Sequence, residues 1–167
     1  MIEGFIDGFS FAEARKSLRG SCPVADFARL RSLVSSSAGK LDYEVFGAKD
    51  GMGRAALRLK ISGALQLTCQ RCLLALDFPL NLDAMLVLAG SEAEIEAQPV
   101  VPEGPDRVVG GKEMPVGTLL EDEILLAIPF APRHTQCAAD PALKGEAQAS
   151  PFADLRGLLN RAGRATN

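Results

Sequence analysis

The stretch Leu41–Ile61, LDYEVFGAKDGMGRAALRLKI, decides the fold. Apolar residues alternate with polar ones on both sides of its middle, at Leu41, Tyr43 and Val45 and then at Ala55, Leu57, Leu59 and Ile61. A period of two is typical of a strand with one face on a core and the other in solvent. The intervening Lys49–Gly53 contains the Asp and Gly of a tight turn. We therefore predict a β-hairpin at the centre of the molecule.

Two further strands are predicted after this hairpin. A strand through Ala64–Thr68 leads into Cys69-Gln70-Arg71-Cys72, and the chain returns through alternating apolar residues between Leu76 and Leu88. The two cysteines therefore lie at a reversal between strands.

The remaining apolar patterns predict helices. Ser10 and Glu13 have the spacing of a capping box for a short helix that Gly20 ends. Pro23 suits the first turn of a second helix, with its apolar face at Val24, Phe27, Leu30 and Val34. A third helix is expected over roughly 116–127 and ends at Pro129, and a fourth begins at Ser150-Pro151.

These elements predict an α+β fold in which antiparallel hairpins pack with several short helices. A chain of 167 residues suits a single domain over 1–167. Within it we expect a flexible acidic loop near 90–114, which contains Glu92, Glu94 and Glu96, and a second flexible segment near 131–149.

Charge is divided unevenly along the chain. Residues 1–80 carry eleven Lys/Arg against eight Asp/Glu, whereas residues 81–150 carry four against twelve. The acidic middle argues against a protein that coats nucleic acid, because such binding depends on neutralising phosphates. A local basic face on the hairpin and second helix is still possible, as is ordinary solvent-facing charge. Its candidate residues are Arg29, Arg31, Arg54, Arg58, Lys60 and Arg71.

The sequence has neither a basic region before an apolar stretch at its start nor an apolar run of membrane-spanning length. We therefore expect a cytoplasmic protein without a membrane partner. In a reducing compartment, its four unevenly spaced cysteines favour free thiols or metal binding over disulfides.

The cysteine pair at the strand reversal suits half of a zinc site, because both sulfurs can face one point. His134 and Cys137 repeat the same spacing, so that Cys69, Cys72, His134 and Cys137 would form a tetrahedral Cys3His set. Two alternatives stay open. The thiols can be inert core residues, or the pair can be redox-active beside Arg71, although strands rather than a βαβ unit flank it. Cys22 is expected to be structural.

We find no motif for catalysis. The single histidine has no partner nearby in sequence, and there is no phosphate-binding glycine loop. Glu121-Asp122-Glu123 is best interpreted as the solvated face of a helix.

Three segments in order resemble the YceD family: Leu67–Leu73 with its Cys-x-Arg-Cys turn, Leu119–Pro129 with its Glu-Asp-Glu and apolar run, and Pro151–Leu155. The resemblance covers about residues 10–160. It implies a non-enzymatic factor, without a small-molecule substrate, that supports synthesis, processing or stability of 23S ribosomal RNA. Its partner would be that RNA, or a large-subunit ribosomal protein or assembly factor.

The metal site is where this chain departs from the resemblance. Some branches similar to the family have a second cysteine pair after the helix, whereas this chain has only His134 and Cys137 there. Either no cofactor or one zinc ion is therefore expected. Two other functions compete: a thiol-disulfide oxidoreductase using Cys69 and Cys72, and a zinc-stabilised binding module with an unrelated partner.

Overall fold

A computed structural model describes residues 4–99 and 104–137. The chain divides into two compact units, Met1–His134 and Thr135–Asn167. The first holds all the secondary structure described below, and of the second only residues 135–137 are described. The predicted fourth helix lies outside the described residues.

The first unit is built on a six-stranded sheet. Its strands are β2 (Ser17–Pro23), β3 (Val34–Ser36), β4 (Lys40–Lys49), β5 (Ala55–Thr68), β6 (Ala75–Ala89) and β7 (Asp106–Val109). The main order is β2-β4-β5-β6-β7, and β3 pairs with the far end of β5. All neighbours are antiparallel except β6 and β7, which are parallel. Two further strands, β1 (Phe5–Ile6) and β8 (Met114–Pro115), form a separate antiparallel pair.

Three short helices accompany the sheet: α1 (Gly8–Glu13), α2 (Glu92–Glu96) and α3 (Val116–Ala127). The predicted α+β class is confirmed. The core lies on one sheet face, where inward side chains of β4 and β5 pack with α1 and the apolar side of α3. Its fully buried members include Leu41, Val45, Leu57, Leu59, Leu65, Leu120 and Ile124.

The central hairpin and the third predicted helix are confirmed. β4 and β5 pair from Leu41↔Gly63 to Lys49↔Ala55, and the carboxylate of Asp50 closes the turn by accepting from the amides of Met52 and Arg54. The strand predicted at Ala64–Thr68 is the continuation of β5, which runs unbroken for 14 residues.

The second predicted helix is wrong. Ser17–Pro23 forms β2, which pairs along its whole length with β4, and two 3-10 turns follow at Val24–Asp26 and Leu30–Ser32. Val24, Phe27 and Leu30 are buried as predicted, because a spacing of three also suits successive 3-10 turns. Gly20 lies within β2 rather than after a helix, and a Cβ there would overlap the ring of Tyr43.

Two smaller expectations also need adjustment. The first helix begins earlier than predicted, because the side chain of Asp7 rather than Ser10 accepts from the helix start, at the amide of Ser10. The stretch expected as an acidic loop near 90–114 contains α2, β7 and β8. The side chain of Ser91 caps α2 by accepting from the amide of Glu94.

Candidate functional site

The turn between β5 and β6 carries the two paired cysteines, as the sequence predicted. We call Cys69–Leu74 the cysteine turn. Two hydrogen bonds close it: the Cys69 amide donates to the carbonyl of Leu74 at 2.9 Å, and the Leu73 amide donates to the carbonyl of Cys69 at 2.9 Å. Cys69 and Cys72 are both buried. Strand pairing on each side therefore fixes the positions of both sulfurs.

A second segment of the first unit lies against this turn. The Gln70 amide donates to the carbonyl of Pro132 at 2.8 Å. Beyond it, His134 Nδ1 lies 3.4 Å from Cys72 Sγ, and Nε2 lies 3.0 Å from the carbonyl oxygen of Ala75. The ligand atoms of Cys69, Cys72 and His134 all lie within 4.8 Å of one another. Three of the four predicted ligands thus come together within this unit.

The contact with Ala75 sets the tautomer of His134. A carbonyl oxygen can only accept, so a neutral ring donates from Nε2 and keeps the lone pair on Nδ1, which faces Cys72. Histidines that bind metal commonly hold their second nitrogen in this way. A zinc-bound sulfur and nitrogen at tetrahedral angles would be about 3.5 Å apart, close to the distance observed here. The geometry therefore suits a metal ligand pair.

The surroundings of the Cys69 thiol at this turn also change its pKa. Burial acts to raise its pKa, but backbone hydrogen bonds with Cys72, His134 and Arg71 outweigh burial, and the pKa is lowered to about 5. The turn thus favours a thiolate, the form that binds metal.

The other two cysteines differ from this pair. Cys22 lies in the core, where its thiol donates to the carbonyl of Leu41 and burial raises its pKa to about 11. The prediction of a structural Cys22 is therefore confirmed. Cys137 is partly buried and lies in the second unit, three residues after His134.

The six predicted basic residues lie at four places in the fold. Arg58 and Lys60 point outward from β5, Arg54 lies at the central hairpin turn, Arg29 and Arg31 lie at the second 3-10 turn, and Arg71 lies in the cysteine turn. Several of them are paired with carboxylates.

The outward face of the sheet is balanced in charge. Arg58 forms two hydrogen bonds with Asp83 at 2.6 and 2.7 Å, and the register places Arg19, Glu44, Lys60 and Asp83 in one row across four strands. Arg19 pairs with Glu44, and Arg54 pairs with Asp50 at 2.7 Å. Alternating signs leave little net field for a phosphate backbone on this face.

The end of the sheet that carries the cysteine turn differs in charge from the outward face, and we call it the cysteine end. We define it as the cysteine turn, Phe130–His134 and Arg31–Ser36; the last segment includes β3, whose Val34 pairs with Leu67 of β5. Arg31 and Arg133 are exposed, and their guanidinium groups form no hydrogen bond or ion pair with other described residues. Arg71 is exposed here too. The opposite end carries the exposed Glu92, Glu94 and Glu96 of α2.

The interpretation of Glu121-Asp122-Glu123 as a solvated face is wrong for two of the three residues. Glu121 and Glu123 are only 8% and 7% exposed. Glu121 accepts from the backbone amides of Arg29 and Leu30 and from the Arg29 guanidinium. These partners are more than 90 residues away, so local periodicity could not reveal them. The hydrogen bonds of Glu121 join α3 to the second 3-10 turn.

Together, the fold and this site define a small α+β protein whose Cys-His cluster lies at one sheet end. Residues 57–159 match the family described as large ribosomal RNA subunit accumulation protein YceD. The chain belongs to the YceD family. Comparison with curated proteins gave no match, and comparison with solved structures also gave none. Within the described residues, no helix is long and apolar enough to cross a membrane.

Proposed function

We propose that this chain is a non-enzymatic factor that supports accumulation of 23S ribosomal RNA in bacterial large-subunit biogenesis, and that it binds RNA directly at its cysteine end. The observation that carries the proposal is the position of Arg31 and Arg133, exposed at the cysteine end without a carboxylate partner among the described residues. Such cations attract phosphates, whereas the balanced outer sheet face does not.

We further propose that a zinc ion bound by Cys69, Cys72, His134 and Cys137 stabilises this end. Cys137 is three residues from His134, which limits the distance between their Cα atoms to about 11 Å. Three sulfurs and one imidazole suit zinc better than the hard cations that prefer oxygen ligands. The bound ion would add folding free energy by tying the segment after α3 to the β5–β6 turn.

A second candidate is an indirect route through a basic ribosomal protein. The observation that favours it is the exposed acidic helix α2 at the opposite sheet end. Carboxylates there would attract a basic partner without any RNA contact. We favour the direct route because Arg31 and Arg133, which have no carboxylate partner among the described residues, lie at the same end of the sheet as the candidate metal site.

The thiol oxidoreductase hypothesis has one argument for it and one against. The lowered pKa of Cys69 supports a reactive thiolate. However, both Cys69 and Cys72 are buried, and a substrate disulfide needs access to the attacking sulfur. A lack of disulfide exchange by the purified protein would end this hypothesis.

The proposal is tested by deleting the gene and by purifying the tagged protein with and without nuclease. We expect deletion to lower large-subunit RNA relative to small-subunit RNA, and nuclease to remove the ribosomal material that co-purifies. Persistence of one basic protein after nuclease would instead support the indirect route. If the purified protein contains zinc but deletion of the gene leaves the ratio of large-subunit to small-subunit RNA unchanged, the chain would instead be a zinc-stabilised module with an unrelated partner.

A further inference from the structure

Phe130 is fully exposed at the cysteine end. A free phenylalanine ring in water forgoes the stabilisation that burial would give it. Its neighbours restrict the backbone on both sides, because Pro129 and Pro132 have fixed φ angles and each also restricts the residue before it. The ring is therefore presented by a stiff segment.

Hydrogen bonds anchor this segment to the cysteine turn. The carbonyl of Pro132 accepts from the Gln70 amide, and the His134 ring contacts both Cys72 and Ala75. The backbone on either side of Phe130 therefore has less conformational entropy to lose on binding a ligand, which is the general advantage of a preorganised segment.

The turn itself presents another apolar side chain at a conformational cost. Leu73 has a φ of 62°, in the left-handed region that glycine or asparagine occupies more easily. Its side chain is 69% exposed and that of the neighbouring Leu74 is 48% exposed. Core packing therefore does not explain a leucine at this position.

The charges beside these apolar residues indicate the partner. Arg133 is three residues from Phe130, and Arg31 lies just before β3 at the same end. An exposed aromatic ring with exposed arginines at the same end of the sheet matches the requirements of single-stranded nucleic acid, in which unpaired bases stack on aromatic rings and phosphates bind arginine. A duplex offers the phosphates but no free base face.

We infer that an unpaired base of single-stranded RNA stacks on Phe130, with Leu73 extending the apolar surface and Arg31 and Arg133 contacting the adjoining phosphates. This inference rests on the proposed function and adds to it the kind of RNA that is bound. A site of this kind selects loops, bulges or unpaired ends over helical RNA.

The test is the affinity of the zinc-loaded full chain for a fluorescent unpaired oligoribonucleotide and for an RNA duplex of the same length. Phe130→Ala should weaken binding to the unpaired RNA by about tenfold, and Phe130→Tyr, which keeps a stacking ring, should bind nearly as well as the wild type. Phe5→Ala is the matched control, because Phe5 is also exposed but lies in β1, beside the start of α3. Zinc content and melting temperature should be the same for all four proteins.

Equal affinity of the wild type and Phe130→Ala for unpaired RNA would overturn the inference and leave the proposed function standing. Absence of any RNA binding by the wild type would instead overturn the proposed direct route. Normal RNA binding by Phe130→Ala, combined with loss of a protein that otherwise survives nuclease, would overturn the RNA assignment and make Phe130 part of a protein interface.

Discussion

Glu121 accepts two hydrogen bonds from Arg29, one from the backbone amide at 2.7 Å and one from the guanidinium at 3.0 Å. The amide of Leu30 donates a third at 3.1 Å. Because Glu121 is buried, these bonds satisfy a carboxylate that would otherwise be costly to remove from water. α3 is thereby joined to the loop that leads into β3 and the cysteine end.

Glu121→Gln should lower the free energy of unfolding by about 1–3 kcal/mol, because the amide nitrogen of glutamine cannot accept from Arg29 or Leu30. Denaturant unfolding of the purified protein measures this loss. The control is Asp122→Asn, since Asp122 pairs with the same arginine at a half-exposed position where an ion pair contributes about 0–1 kcal/mol. Equal effects of the two substitutions would contradict the role assigned to Glu121.

The contributions of Glu121 and Glu123, the two buried acids of α3, to the stability of the fold should change in opposite directions with pH. Burial acts to raise the pKa of Glu121, but hydrogen bonds from Leu30 and Arg29 outweigh it and lower the pKa below 4.5. Its stabilisation is therefore present above pH 4.5 and is lost as the pH falls. Burial, and then the charges of Asp106 and Asp122, raise the pKa of Glu123 above 4.5, so its ionisation destabilises the fold as the pH rises.

Glu123→Gln should therefore stabilise the protein at pH 7 and have little effect near pH 3, where Glu123 is protonated in both states. Urea unfolding at the two pH values measures this difference. Glu121→Gln serves as the control, because it should destabilise at pH 7 and matter less in acid. A Glu123→Gln variant that is less stable than the wild type at pH 7 would show that the carboxylate has a favourable partner.

The close approach of α1 to β4 gives a prediction about packing. A Cβ at Gly47 would overlap the backbone carbonyl of Phe11, and the Gly47 amide donates to the carbonyl of Lys16 at 2.8 Å. Gly47→Ala should lower the free energy of unfolding by about 1–3 kcal/mol. Gly51→Ala, at a position with open space, should change it by less than about 0.5 kcal/mol. Similar melting temperatures for the two variants would argue against this contact.

The elements that local patterns predicted are those with long, regular alternation. Leu41–Ile61 has a period of two and forms the central hairpin, and the apolar face of 116–127 forms α3. β2 was missed because its inward residues include Gly20 and Cys22, whose small side chains hide the period, and because Gly20 is explained by its pairing with Tyr43. Parallel pairing of β7 with β6 is nonlocal and has no signature in a short stretch.

The candidate site was predictable where chemistry and spacing coincide. Two Cys-x-x-Cys-like spacings identified Cys69, Cys72 and His134, which meet in the structure. The pairing of the basic residues with carboxylates was not predictable, because the partners of Arg29 and Arg58 come from distant segments. Phe130 was not predicted as a site residue, because a single aromatic residue between prolines carries no periodic signal.

Zinc content tests the proposed metal site. We expect about one zinc per wild-type chain and loss of the metal in Cys69→Ser, together with a fall in melting temperature after chelation. Cys22→Ala is the matched cysteine control and should retain the metal, since Cys22 lies in the core against Leu41. Zinc-free wild-type protein that melts at the same temperature before and after chelation would refute the site.

The most direct test of RNA binding at the cysteine end is the ratio of large-subunit to small-subunit ribosomal RNA in a deletion strain that expresses variants of this chain. Arg31→Glu/Arg133→Glu reverses two exposed charges at that end, and Lys16→Glu/Lys49→Glu makes the same change in net charge at the other end of the sheet. The account predicts that the wild type and the lysine variant restore the ratio and that the arginine variant, expressed at the same level, does not. Full restoration by the arginine variant would contradict it.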